Sequence, residues 1–463
     1  MEVKKRIERD TLGEVEVPAK AYYGAQTQRA ADNFKVSGIR LQPGFIRAQA
    51  IVKRAAAMAN ADAGRLDKEI SQAIIKAVEE VIAGKFADQF VVDVFQAGAG
   101  TSQNMNINEI LANRANEILG GKIGEYKPIH PNDHVNMSQS TNDTIHATIH
   151  IAAYTKIQKH LLPTIQKLEK SLRAKAGEFD NVLKAGRTHL QDAVPIRLGQ
   201  EFGAYATMMG NGYRRTSQAS EGLRELAIGG TAVGTGLNAN PNYKANVTKY
   251  ISEAAGYKFT AAADMFEAMQ SFDSVVEVTG ALRILATGLK KIADDFRLMS
   301  SGPRAGLAEI QLPAVQPGSS IMPGKVNPVM AEMLNMVCFQ VMGCDATIVQ
   351  AAQAGQLELN VMMPVIAYNL LLEIEILAGG IESFTERGVA EIKANVETCR
   401  RYAELSPALA TALNPIIGYN KASEIAKEAL HKNITIRELI SSKNIIDKNK
   451  LADILDIRKM TEG

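Results

Sequence analysis

Two hydroxyls, a cation and an amide crowd into one short stretch, Gly318-Ser319-Ser320-Ile321-Met322-Pro323-Gly324-Lys325-Val326-Asn327-Pro328. Pro317, Gly318, Pro323, Gly324 and Pro328 punctuate it so heavily that no regular element can run through, and helical character resumes only at about Val329. Hydroxyls, amides and backbone N–H groups bind carboxylates, and a lysine adds a point charge. A small dicarboxylate fits such a set. A serine that lost its proton there could take a proton from the carbon beside a carboxylate, and the same donors would hold the resulting enediolate. That is elimination chemistry.

Four more polar turns share this character. Gly98 to Asn106 is a glycine-containing turn before a helix expected from about Asn108 to Leu119, and His130 to Asp143 ends in helix-cap residues. Gly186 to Asp192 and Gly229 to Asn238 lie between long helices. The glycines do not make a nucleotide site. Gly234-Thr235-Gly236 lacks the third glycine and the preceding strand of a dinucleotide fingerprint. The Gly318 to Lys325 spacing is one residue too long for a P-loop, and Val326 stands where a magnesium-binding hydroxyl is needed. His130 and His134, like His146 and His150, are four residues apart, but Pro131 breaks the first pair and no third ligand accompanies the second. Ordinary polar or core histidines, and no metal, are expected.

The elements that must position these turns are helices. The chain has 463 residues, 46% apolar, 5% aromatic and without Trp, so its core is aliphatic and rich in Met, which suits helix packing. The 52 Lys and Arg nearly balance the 50 Asp and Glu, with no long block of either sign beyond Lys4-Lys5-Arg6, so neither nucleic acid nor a membrane surface is an expected partner. Cys338, Cys344 and Cys399 have no metal-ligand spacing and read as free thiols of a reducing compartment. Met1 to Glu8 leads into charge rather than an apolar segment, so no secretory signal is read there. Val361 to Gly379 is interrupted by Pro364, Asn369, Glu373 and Glu375 and does not read as a membrane span. A cytoplasmic protein is expected.

Helices are expected at Phe45 to Ala63 and Lys68 to Ala83. From Thr141 to about Val389 the pattern becomes that of long helices: Asn142 to Glu178 around Pro163, Ile196 to Leu226, Val329 to Ala354, and Asn360 to Arg387. The clearest carries Val275, Val278, Leu282, Leu285, Leu289, Ile292, Phe296 and Met299, a three-four spacing of the kind that lines a bundle seam. At 1.5 Å per residue each such helix spans about 40 to 50 Å, longer than one domain needs, so an oligomer built on the bundle is expected. The expected division is a mainly helical domain over 1–140, a long-helix bundle over 141–390 and a small helical domain over 391–463.

Taken together the turns resemble the motifs of the aspartase/class II fumarase superfamily. The resemblance rests on Gly98-Ala-Gly-Thr-Ser102, Ser138-Gln-Ser-Thr-Asn-Asp143, Gly186-Arg-Thr-His-Leu-Gln-Asp-Ala193, Gly229 to Asn238 and Gly318 to Asn327, in family order along essentially the whole chain. It implies a mostly α, three-domain fold whose five-helix bundles form a twenty-helix core in a homotetramer, with each active site shared between three subunits. It implies no cofactor. Ala99, Ser140-Thr141, Ala21 to Gly24, Ala193 to Ile196, Arg304 to Leu307 and Ala354 to Asn360 look more like the aspartase branch. His130-Pro-Asn-Asp133 and Ile228-Gly-Gly230 look more like the fumarase branch, His130, Asn132 and Asp133 resembling its secondary anion site. The resemblance thus implies deamination of L-aspartate to fumarate and ammonia, with hydration of fumarate as the alternative and a catalytically silent homologue as a minor one.

Residue by residue, the same resemblance casts Ser319 as the base that removes the C3 proton. It gives the α-carboxylate to Lys325 and Asn327, and the β-carboxylate to Thr101, Ser140, Thr141 and Ser320. Asn142, Thr188 and His189 are left beside the leaving amino group, while Asp143 and Glu332 are assigned to support rather than chemistry.

Overall fold

The structure is a computed structural model that describes residues 4–462; Met1 to Val3 of the charged opening stretch, and Gly463, lie outside the described residues. The protein is mostly helical. In chain order a hairpin, β1 (Lys5–Asp10) and β2 (Gly13–Pro18), precedes α1 (Ala25–Asn33), α2 (Pro43–Asp62), α3 (Lys68–Ile82), α4 (Thr101–Ile118), α5 (Thr141–Lys156) and α6 (Leu162–Glu178). A second hairpin, β3 (Leu183–Thr188) and β4 (Gln191–Arg197), leads to α7 (Leu198–Ser220). Then follow α8 (Tyr243–Ala255), α9 (Met265–Gln270), α10 (Asp273–Met299), α11 (Val329–Ala352) and α12 (Met363–Phe384). Five shorter helices end the chain: α13 (Val396–Leu405), α14 (Asn414–Ile417), α15 (Tyr419–Lys432), α16 (Ile436–Lys443) and α17 (Lys448–Ile454).

The long helices follow the expected periodicity. All eight residues of the α10 stripe are buried, from Val275 to Met299. Full burial of such a Leu or Ile side chain contributes about 1.5–3 kcal/mol. Pro163 does not break its helix, because the turn before it widens to a π-helical turn at Ile157–Leu161 that absorbs the missing donor. Helix α12 is apolar enough by composition to cross a bilayer, but 67% of its most apolar window is buried within the protein.

Contacts divide the chain into two compact units. The first comprises 1–163, 214–286 and 339–377; the second comprises 164–213, 287–338 and 378–463. In the first, α2 packs against α3, α5 and α8, and α3 against α4. Its β1–β2 hairpin is pinned by Arg6, whose guanidinium donates to the carbonyls of Pro18, Ala21 and Tyr23 and pairs with buried Glu8 at 2.5 Å. In the second, the short C-terminal helices close around a core that includes Ala403, Leu409, Leu413, Ile425, Leu439 and Leu451.

Two expectations change here. Helix α4 starts at Thr101 rather than near Asn108, so Thr101 to Asn106 is helix and not turn. Their polarity misled: Gln103, Asn104 and Asn106 are buried amides that find partners inside the protein. The Gly186 to Asp192 segment is a β-hairpin, with His189 and Leu190 as its two-residue turn. Among the described residues no cluster of three or more His, Cys, Asp or Glu side chains is arranged to hold a metal ion.

His146 and His150 lie on α5 with ring centroids 4.2 Å apart, beside Phe272. His150 uses both nitrogens, Nδ1 with the Glu225 carbonyl at 2.8 Å and Nε2 with the Ser274 hydroxyl at 3.3 Å. Burial lowers both imidazoles, His150 to about 4 and His146 well below its usual value, the neighbouring His150 ring adding to the shift at His146. Both rings are therefore neutral in the folded protein, while the unfolded chain protonates them near 6.5. Their stabilising contribution is present above that value and is lost as pH falls toward 4, at about 1.4 kcal/mol per pH unit for each proton taken up on unfolding. His146→Leu should flatten the acid limb: its Tm should fall less than the parent's between about pH 7.5 and about pH 5. An unchanged Tm difference would show that His146 is not held neutral.

Candidate functional site

The first unit builds its polar site on the start of α5. Ser140 is the N-cap, in extended conformation, and its Oγ accepts from the Asn142 N–H at 3.2 Å. Asp143 completes the capping box by accepting from the Ser140 N–H at 2.9 Å through Oδ1. Its Oδ2 accepts from the N–H groups of Gly229 and Thr231, each at 3.0 Å. One buried carboxylate thus ties two of the polar turns together. Asn142 adds a second tie, donating from Nδ2 to the Ala232 carbonyl at 2.8 Å. The turn needs its glycine, since Gly229 sits at φ +95° and a Cβ there would meet Lys244 Cβ at 2.9 Å.

Asp143 is fully buried, and its counter-charge is Lys53 on α2, equally buried. Burial pushes Asp143 up to about 7, against the pull of its three backbone donors and of Lys53. Burial likewise brings Lys53 down to about 7, opposed by Asp143. Lys53 Nζ donates to Asn136 Oδ1 at 3.0 Å and to Gln139 Oε1 at 2.9 Å. Asn104 on α4 donates through Nδ2 to Asn136 Oδ1 at 3.1 Å and to Thr141 Oγ1 at 3.0 Å.

The glycine turn at Gly98–Gly100 brings Thr101 alongside. Ala99 and Gly100 both take positive φ, the Ala99 N–H donates to the Val361 carbonyl at 2.7 Å, and a Cβ on Gly100 would press on Ile145 at 3.2 Å. This close approach packs the first turn of α4 against the first turn of α5, so Thr101, Ser140, Thr141 and Asn142 share one region. His130, Asn132 and Asp133 form a separate surface turn. There His130 Nδ1 accepts from the N–H groups of Asn132 at 3.2 Å and Asp133 at 3.4 Å, and faces the Asp133 carboxylate at 3.5 Å.

The second unit holds the remaining candidates. Its serine loop is closed on itself: the Gly318 N–H donates to the Lys325 carbonyl at 2.8 Å, and Asn327 Nδ2 donates to the Gly318 carbonyl at 2.7 Å. Within the loop, Ser319 Oγ accepts from the N–H groups of Ile321 at 3.2 Å and Met322 at 2.9 Å. Two backbone donors aimed at one hydroxyl oxygen favour its anion. Ser320, Ile321, Met322 and Lys325 are exposed, and Ser319 and Asn327 partly so.

Thr188 and His189 lie at the exposed tip of the β3–β4 hairpin, where His189 (φ 56°) and Leu190 (φ 58°) are both left-handed. Two such residues without glycine store strain, which the hairpin base must hold. It does so through Glu309, fully buried, which pairs with Arg187 at 2.8 Å and Lys184 at 3.0 Å, while Lys184 also reaches Glu201 at 2.8 Å. Among the described residues no hydrogen bond joins this tip to the serine loop. Sequence reasoning missed Lys53, Asn104, Asn136, Lys184 and Glu309. A charged or amide residue at an otherwise apolar helical position was the available signal for Lys53 and Asn104.

Compared with known proteins, the chain matches the family described as Lyase over residues 13–343 and the family described as the fumarase C C-terminus over residues 409–462. It is 49% identical over 457 residues to the aspartate ammonia-lyase of Bacillus subtilis (strain 168), covering 99% of this chain and 96% of that one. It is 51% identical over 456 residues to a class II fumarate hydratase of Halobacterium salinarum, covering 98% and 97%. A solved class II fumarase from Schistosoma mansoni superposes with a TM-score of 0.96 at 36% identity, over 99% of each chain.

Two substitutions test the geometry. A Cβ on Gly318 would lie 2.6 Å from the Lys325 carbonyl and 2.8 Å from the Asn327 N. Gly318→Ala should therefore displace the loop and lower turnover by about 10²-fold, with little change in Tm because the loop is exposed; wild-type kinetics would mean that loop closure is irrelevant. Asp143→Asn turns an amide N–H₂ toward backbone donors and strands Lys53, so urea unfolding should show a loss of about 3–5 kcal/mol. A loss below about 1 kcal/mol would show that the carboxylate is not the tie described.

Proposed function

Because the chain belongs to the aspartase/class II fumarase superfamily of lyases, we propose that it is an aspartate ammonia-lyase, converting L-aspartate reversibly to fumarate and ammonia by anti-elimination. The observation that carries the elimination chemistry is Ser319 Oγ under two backbone N–H groups, Ile321 at 3.2 Å and Met322 at 2.9 Å. A serine hydroxyl is a poor base in water, and those donors together with the Lys325 ammonium lower the cost of its alkoxide. The alkoxide takes the C3 proton, the electron pair moves into the β-carboxylate as an enediolate, and its collapse expels ammonia from C2.

The clamps follow from what each side chain has left to offer. Asn327 spends one amide N–H on Gly318 and keeps the other, with Lys325, for the α-carboxylate. Thr101, Ser140, Thr141 and Ser320 take the β-carboxylate and tighten as its charge grows. Asn142, Thr188 and His189 attend the amino group. With Nδ2 turned to the Ala232 carbonyl, Asn142 has Oδ1 available as an acceptor, which suits an ammonium. These residues come from polar turns far apart in sequence, in keeping with a homotetramer whose sites draw on three subunits, and the compartment is cytoplasmic.

The branch rests on the aspartase-like forms at Ala99 and Ser140-Thr141, since relatives of both branches are about equally similar. The His130-Pro131-Asn132-Asp133 turn favours the second reading, a class II fumarate hydratase with a secondary anion site there. Absorbance of fumarate separates them: it should rise with L-aspartate, and hydration to malate without deamination would replace the first reading by the second. Silence with both would leave a structural homologue. Ser319→Ala should lower turnover by about 10² to 10⁴ without altering the oligomer seen by gel filtration. Near-normal turnover would remove Ser319 as the base.

A further inference from the structure

We propose that Lys53, which touches no substrate, is a positioning residue that fixes the direction of a buried hydrogen-bond chain so that the Thr141 hydroxyl must donate its proton into the site. The proposal rests on the reading above in one respect, that Thr141 binds a substrate carboxylate. The chain begins at Lys53 Nζ, which donates in both of its contacts, to Asn136 Oδ1 and to Gln139 Oε1. That nitrogen contacts Asn136 Oδ1 at 3.0 Å, so Asn136 must turn its oxygen toward α2; its amide nitrogen then donates to the Gln139 carbonyl at 3.2 Å. With that oxygen facing inward, Asn104 must approach it with N–H, at 3.1 Å. The second N–H of the same amide reaches Thr141 Oγ1 at 3.0 Å. Thr141 thereby accepts from behind, and its own proton is left for a carboxylate.

The unpaired atoms record the same polarity. Asn108 also turns its amide nitrogen to Asn136 Oδ1, at 3.2 Å. The Oδ1 atoms of both Asn104 and Asn108 are buried without a hydrogen-bond partner, an arrangement that a free flip of either amide would relieve at one end. Lys53 Nζ, donating to the Asn136 and Gln139 oxygens, keeps both amides from flipping. A neutral residue in place of Lys53 frees Asn136 and Asn104 to reverse, whereupon Thr141 donates backward to Asn104 Oδ1 and presents lone pairs to the substrate.

The test is a double-mutant cycle on kcat/KM, measured with whichever of L-aspartate or fumarate turns over. Thr141→Val, which keeps the shape and removes the hydroxyl, should lower kcat/KM by about 10-fold or more, as loss of a hydrogen bond to a charged group does. Lys53→Met should lower it comparably in the parent, yet by less than about 2-fold in the Thr141→Val background. Losses that multiply instead of saturating would overturn the relay while leaving Thr141 as a substrate ligand. No loss with Thr141→Val would overturn both the relay and the placement of Thr141.

Should Lys53→Met fail to fold, as judged by circular dichroism and gel filtration, a second pair decides. Asn104→Asp, which can only accept from Thr141, should be more damaging than Asn104→Leu, and that difference should vanish in the Thr141→Val background. Persistence of the difference there would mean charge repulsion rather than hydrogen-bond direction, and would sink the proposal.

Discussion

Much of the first unit's polar chemistry depends on one buried carboxylate. Asp143 caps its own helix and accepts two further N–H groups from the Gly229–Thr231 turn, so the orientation of α5's first turn and the path of a distant loop are set by a single side chain. Such an anion is costly to bury, and neither the backbone donors nor Lys53 alone offsets the desolvation. Together they oppose it only in part, since Asp143 is still pushed up to about 7, and removing one member leaves the others with fewer partners in a dry interior. A buried polar network of this kind rigidifies when every member is satisfied. Rigidity is what a helix N-terminus offering hydroxyls to an anion requires.

The second unit solves the same problem without a capping carboxylate at its serine loop. The Gly318 to Asn327 segment is exposed, so its shape cannot come from burial, and it is held by hydrogen bonds that close the loop across its base. The hairpin carrying Thr188 and His189 leans instead on buried Glu309, between Lys184 and Arg187, which holds the base of a strained two-residue turn. In both cases the group that fixes the exposed residues is either backbone or buried charge.

That division explains what could be read from the sequence. The long helices were legible because the α10 stripe and its counterparts repeat every three or four residues, and such a pattern has one economical packing. The polar turns were legible as types, since Gly and Pro cluster there with short polar residues, whereas the isolated Pro163 leaves its helix running. What stayed hidden were the supporting side chains, because a lysine or asparagine inside a helical pattern, as at Lys53 and Asn104, looks like an exposed residue until the opposite helix is known. The same ambiguity made Thr101 to Asn106 read as turn: buried amides paired with one another are indistinguishable, in sequence, from amides facing water.

Donor direction also frames the choice of leaving group. On the proposed reading the useful groups around a dicarboxylate are donors, and Ser319's backbone pair, Lys325 and the α5 hydroxyls would serve either substrate of the superfamily. Selection between an ammonium and a hydroxyl must come from atoms near C2 that can accept. Asn142 satisfies one carbonyl with its amide nitrogen and thereby has its oxygen to offer, and the imidazole of His189 carries a ring nitrogen that can accept. An ammonium has three protons to place and no lone pair, so it gains from both acceptors, whereas a hydroxyl gains from only one. On the proposed assignments the branch of the superfamily is decided by the few side chains around that carbon, while the proposed base and carboxylate clamps are common ground.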